Sequence, residues 1–194
     1  MFNYGILYKN ILPRSFYTRD TVIVARELIG HILVRHVAGI TLAGIITETE
    51  AYRGDDDPAC HAYRGKTDRT APLFGTVGCA YVYFIYGNHF CLNIVSRSPE
   101  QTSGGVLIRA IKPIKGIDQM KIWRSMINEK MLTNGPGKLA QALSITKAHN
   151  FVDCTQPGEL LVVEGVSDYV VDQTPRIGIS QAQDRLWRFV VRKN

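Results

Sequence analysis

The 194-residue chain has no apolar run of the roughly 20 residues that a membrane-spanning helix needs. Its start, MFNYGILYKNILPRSFY, has neither the basic region nor the unbroken apolar stretch of a secretory signal. A soluble, intracellular protein is the expectation. It also has no C-x-x-C pair: Cys60, Cys79, Cys91 and Cys154 are scattered, which fits reduced thiols and excludes a disulfide framework. Cys60-His61 and His89-Phe90-Cys91 are not joined by a second pair at zinc-site spacing, so no metal and no other cofactor is expected. The glycines of NGPGK do not form the G-x-x-x-x-G-K-S/T of a nucleotide-binding loop, which leaves ATP chemistry unsupported. Low-complexity stretches, linkers and internal repeats are missing too. One domain over 1–194 follows.

The chain does have the balance of an ordinary globular protein, 45% hydrophobic and 21% charged residues. Its net charge of +6 suits a polyanionic partner such as nucleic acid. Asp20 is placed to cap a helix over TVIVARELIG, which Gly30 would stop. HILVRHV and AGIITETEAY alternate like neighbouring strands, and a long polar loop, RGDDDPACHAYRGKTDRTAPLFGTVG, comes next. YVYFIYGNHFCLNIV then reads as a hairpin, GGVLIRAIKPI as a strand, 116–131 as a basic helix and KLAQAL as the start of another. The runs LLVVEGV, RIGIS and LWRFVVR are of β type. Strands dominate and helices do not alternate with them. The fold class is therefore α+β, with a curved, mostly antiparallel sheet flanked by helices and a protruding hairpin.

Period-two alternation puts Glu48, Glu50 and Tyr52 on one face of a strand, successive members about 7 Å apart. That face is either a solvated acidic edge or the mouth of a cleft. Asp55, Asp56 and Asp57 read as a hydrophilic turn, and His61 as a loop histidine beside Tyr63, Arg64, Lys66 and Arg69. The RGKTDR segment could meet phosphates. Arg109 interrupts an apolar strand; if buried it needs a carboxylate, and Glu50 is the candidate. Lys138, behind Gly135, Pro136 and Gly137, opens a helix whose first turn suits an anion, or is simply a proline-started helix.

Taken together, ETEAY at 48–52, HAYRG at 61–65, YVYFIYG at 81–87, CLN at 91–93, LIRAIKP at 107–113 and GPGKLAQAL at 135–143 resemble the alkyladenine (3-methyladenine, methylpurine) DNA glycosylases. The likeness runs from LPRSFY at 12 to WRFVV at 187. It implies a monomeric, monofunctional base-excision enzyme acting on double-stranded DNA with damaged purines. In that pattern Glu50 looks like the base that activates water, with Arg109 and the main-chain carbonyl near Ile177 holding the water. Tyr52, His61 and Tyr83 look like the walls around the flipped base, and Asn93 like the residue that crowds the amine of guanine. Tyr86 looks like the wedge that fills the gap in the DNA stack, with Gly87 and His89 beside it on the DNA. The chain departs from the commoner family pattern at Cys60, at PLFGTVG and at Asn88.

A strict two-residue Gly-Asn turn would oppose Tyr86 to His89 and Asn93 to Val82, and so turn Tyr83 and Asn93 to opposite faces. For both to line one pocket, the turn must be wider or bulged. A non-catalytic domain that stacks bases on tyrosines is the competing reading, and a small-molecule enzyme on a related β-rich fold a third.

Overall fold

The computed structural model describes residues 10–85, 87, 89–166 and 168–192. Its centre is the strand β2 (Ile40–Arg53), 14 residues long. One edge of β2 pairs with β5 (Gly104–Lys115); the other pairs first with β1 (Ile32–Val37) and then with β8 (Arg188–Val191). Beyond β5 lie β4 (His89–Val95) and β3 (Ala80–Ile85), and beyond β1 lies β6 (Leu160–Val163). β8 also pairs with β7 (Val171–Thr174), and every one of these pairings is antiparallel. The α+β reading is correct.

Helices cover one face. After the short α1 (Arg14–Tyr17) comes α2 (Thr21–Glu27), whose first N-H groups are capped by the Asp20 carboxylate: Val22 donates at 2.8 Å and Ile23 at 3.3 Å. The helix ends three residues before Gly30, which adopts φ +91°. The expected long basic helix is shorter, α3 (Ile117–Arg124), because Ser125 turns left-handed at φ 47° and breaks the ladder; a 3-10 turn covers Glu129–Met131. Gly135 and Pro136 open α4 (Pro136–Ala142), proline standing where no helical N-H is needed.

The sheet's alternation separates two environments. Val82, Leu92, Ile94, Val106, Ile108 and Ile46 point to the helices and pack with Val24, Ala25, Leu28, Leu139 and Leu143 in the main core. Residues between them, Tyr81, Tyr83, Asn93, Leu107 and Glu50, face the other way. Cα register lines up Tyr81, Asn93, Leu107, Glu50 and Arg188 in one row across β3, β4, β5, β2 and β8.

The hairpin register settles the geometric conflict in the sequence. Its last pair is Ile85 with His89, which leaves three residues, 86–88, for the turn instead of two. Asn93 therefore opposes Tyr81, and Tyr83 opposes Cys91, so Tyr83 and Asn93 share a face. Tyr86 and Asn88 lie outside the described residues. RIGIS, expected as β, is an irregular loop between β7 and β8, with Gly178 left-handed at φ +77°. β7 itself had no counterpart in the sequence reading. No described helix is long and apolar enough to cross a membrane.

Candidate active site

The face away from the helices opens into a pocket of about 570 Å³, lined among others by Tyr52, His61, Tyr83, Asn93, Arg109 and Ile177. All six were singled out in the sequence, and the chain brings them together from four strands and two loops. A small apolar cluster of Cys60, Ala62, Leu73, Tyr81 and Val95 backs it.

Glu50 is fully buried beneath this pocket. Three groups that line the pocket also hold its carboxylate: Ile177 N-H donates to Oε1 at 2.8 Å, and the Tyr52 hydroxyl (2.7 Å) and Arg109 Nη1 (3.2 Å) donate to Oε2. An ionised carboxylate offers about four acceptor positions, so one on Oε1 has no protein donor among the described residues. Tyr52 is a donor and stays one: burial first, and then the Glu50 charge, raise its pKa far above the usual phenol value.

Arg109 reaches both carboxylates because of a register irregularity. Glu48 pairs with Ala110 and Thr49 with Ile108, so Arg109 has no Cα partner on β2 and its side chain is re-aimed at the β2 acids. Its Nε donates to Glu48 at 2.7 Å; Glu48 also accepts from Arg188 Nε at 2.7 Å. Burial disfavours the Arg109 charge, but Glu50 and then Glu48 outweigh that and raise its pKa. The acidic face of β2 is thus not a solvated edge. Glu48 and Glu50 sit in a network with two arginines.

Aromatic rings form the wall. His61 meets Tyr83 edge to face, centroids 4.6 Å apart at 80°, and Tyr83 lies 5.4 Å from Tyr81 at 34°. The Tyr81 hydroxyl pairs with His61 Nδ1 at 3.2 Å. His61 is open to solvent on one side; the protein packed on the other, and then Arg69, lower its pKa and favour the neutral imidazole. Asn93 is buried, and its Nδ2 donates to the Tyr81 carbonyl at 3.2 Å. Tyr81, one of the rings of YVYFIYG, thus fixes His61 as well as packing within the sheet.

The polar loop corrects a second reading. Asp55 accepts from Thr102 N-H at 2.8 Å and Asp56 from Arg53 Nε at 2.8 Å, but Asp57 is fully buried against Arg176. Arg176 donates through Nη1 to Asp57 Oδ2 (2.5 Å) and through Nη2 to Oδ1 (2.7 Å). Nothing local signals this pair, because its members are 119 residues apart.

Of the residues expected to touch DNA, His89 and Lys138 line the pocket, and Lys138 Nζ donates to Asn134 Oδ1 at 2.9 Å. Gly137 is a close approach: a Cβ there would lie 2.9 Å from the His89 ring. Arg64, Lys66 and Gly87 are exposed. Tyr86 falls outside the described residues. Among the described residues no group of three or more His, Cys, Asp or Glu is placed to hold a metal ion.

A pocket walled by rings over a buried, hydrogen-bonded carboxylate has room for a flat ring and an acid-base group beside it. Residues 15–194 match the model of the methylpurine-DNA glycosylase family, and the chain belongs to that family. A relative from Koribacter versatilis is 47% identical over 185 residues, covering 93% of this chain and 89% of its own. One from Carboxydothermus hydrogenoformans is 46% identical over 186 residues, with 95% and 96% covered, and one from Clostridium perfringens 44% over 198 residues, with 94% and 96%. Each carries the name "Putative 3-methyladenine DNA glycosylase".

Proposed function

We propose that this protein is a DNA glycosylase that takes alkylated or deaminated purines out of duplex DNA and hydrolyses the bond between base and sugar, leaving an abasic site. The observation that carries the proposal is Glu50. It is sealed under an aromatic pocket, held by three of the pocket's own walls, with one acceptor position free.

The chemistry follows from those groups. The flipped base stacks among Tyr52, His61 and Tyr83; alkylation makes it cationic, and a cation between ring faces is favoured. Unstacking costs a few kcal/mol and least for a damaged base, so the flip itself adds selectivity. Glu50 accepts a proton from a water that its free position orients, with Arg109 and the Ile177 carbonyl on the water's other sides. As the base departs, positive charge grows on the sugar and the same carboxylate stabilises it. Arg109, 3.2 Å from Glu50 Oε2, fixes the carboxylate's position beneath the pocket. Asn93, rigid through its bond to Tyr81, crowds the exocyclic amine of guanine. Tyr86 fills the vacated stack, and Gly87, His89, Arg64, Lys66 and Lys138 meet the DNA around it. A single copy of the chain acts on each lesion, inside the cell, without a metal or organic cofactor.

The test is incubation of the protein with duplexes that each carry one lesion (3-methyladenine, 7-methylguanine, hypoxanthine or ethenoadenine), followed by alkaline cleavage. Cleavage at the lesion in at least one duplex, with none at normal purines, is the expected result. Intact strands in all four would overturn the reading.

A further inference from the structure

The buried pair Asp57–Arg176 is a poor device for stability. Each charge loses its water, at several kcal/mol per ion, and a well-packed apolar pair of the same volume is often as stable. Its connections are more telling than its strength. Arg176 Nη1 also donates to the Ala51 carbonyl at 2.8 Å, between Glu50 and Tyr52 on β2. The guanidinium lies 4.7 Å over the Tyr52 ring and 5.2 Å from that of Trp187. Arg176 directly precedes Ile177, whose N-H holds Glu50.

One exposed tie runs beside the pair, Arg185 Nη2 to the Asp56 carbonyl at 2.7 Å, but the backbone of the stretch bonds little to itself. From 175 to 186 a single backbone-backbone hydrogen bond, Arg185 to Ala182, is found among the described residues. Asp57 meanwhile seats the opposite wall: its carboxylate accepts from Ala59 N-H at 3.2 Å and its carbonyl from Cys60 N-H at 2.8 Å, just ahead of His61.

We infer that Asp57 and Arg176 are positioning residues, a buried clamp that joins the loop carrying His61 to the loop carrying Ile177 and so aims the Ile177 N-H at Glu50. Neither touches the base; both act through Ile177 and the Tyr52 ring. The inference rests on the hydrolytic reading of Glu50 for its effect on rate, but not for its effect on the loop.

The test uses the full chain with Asp57→Asn, which keeps the volume and removes the charge, and Arg176→Lys, which keeps the charge and removes the fork. Two quantities are read: single-turnover base release against duplex concentration, and amide hydrogen exchange at Ile177. A displacement of about an ångström can cost up to about a hundredfold in rate, so the expected result is a loss of about tenfold or more in the maximal rate, with the half-saturating duplex concentration changed less than about threefold. Ile177 exchange rises by a similar factor while amides in β1 and β2 keep their protection. Should Asp57→Asn fail to fold, Arg176→Lys carries the test. Unchanged rate with unchanged Ile177 exchange overturns the inference. So does a loss of protection spread evenly over the sheet, which would make the pair a fold element only. If wild type releases no base from any lesion, the hydrolytic reading falls, while Ile177 exchange in the variants still decides whether the clamp exists.

Discussion

The two faces of one sheet are built to different rules. Toward the helices, Val82, Leu92, Ile94, Val106 and Ile108 bury only carbon, the ordinary means of stabilising a fold. One residue further along each strand, the opposite face carries Tyr81, Asn93 and Glu50, with Arg109 turned in by a bulge and Asp57–Arg176 sealed at the margin. Burying these charges costs free energy that pairing only partly returns. The contrast is what marks the pocket face as the candidate site, since its buried charge is not explained by stability alone.

That contrast can be broken by substitution on either face. The largest effect expected is on the pocket side: Glu50→Gln lowers the rate of base release by about a thousandfold, the range of a lost acid-base group, while lesion duplex is still retained in a gel-shift assay. Ile108→Ala, on the helix side, should cost about 2–5 kcal/mol in denaturant unfolding because it empties a fully buried site. Base release per folded molecule should stay within about twofold there, since no pocket group is touched. Asn93→Ala removes one buried hydrogen bond, about 1 kcal/mol in the same unfolding experiment. Its mark should be a new, slow release of normal guanine. The smallest effect concerns pH. The protein packed against His61, and then Arg69, hold it below the ordinary histidine pKa, so the neutral ring is favoured at neutral pH and charge is gained as pH falls. Release of a cationic lesion relative to a neutral one should therefore fall as the pH is lowered through the acid range, and His61→Phe should remove the fall.

Local features on both faces were legible from residues alone. Asp20 announces α2 because its carboxylate can reach two orphan N-H groups, and alternation in GIITETEAY places Glu50 and Tyr52 together because a strand has no other option. What escaped depends on atoms distant in the chain or on one turn's conformation. The hairpin register hinged on whether two or three residues make the turn, and a slip of one changes which side chains share a face. Asp57 and Arg176 carry no local sign of one another. RIGIS has the composition of a strand, but Arg176 is drawn into the ion pair and Gly178 turns left-handed, so no ladder forms. Likewise, α3 stops at Arg124 by a left-handed Ser125 that no propensity demands.

The account stands or falls on one bond and the atom that replaces it. Single-turnover reaction of the wild-type protein with a 3-methyladenine duplex in water enriched in heavy oxygen, followed by mass spectrometry of both products, shows on which side of that bond the water's oxygen is absent. The expected products are free unlabelled base and an intact strand carrying one abasic site; label on the base, strand cleavage without alkali, or no released base would contradict this.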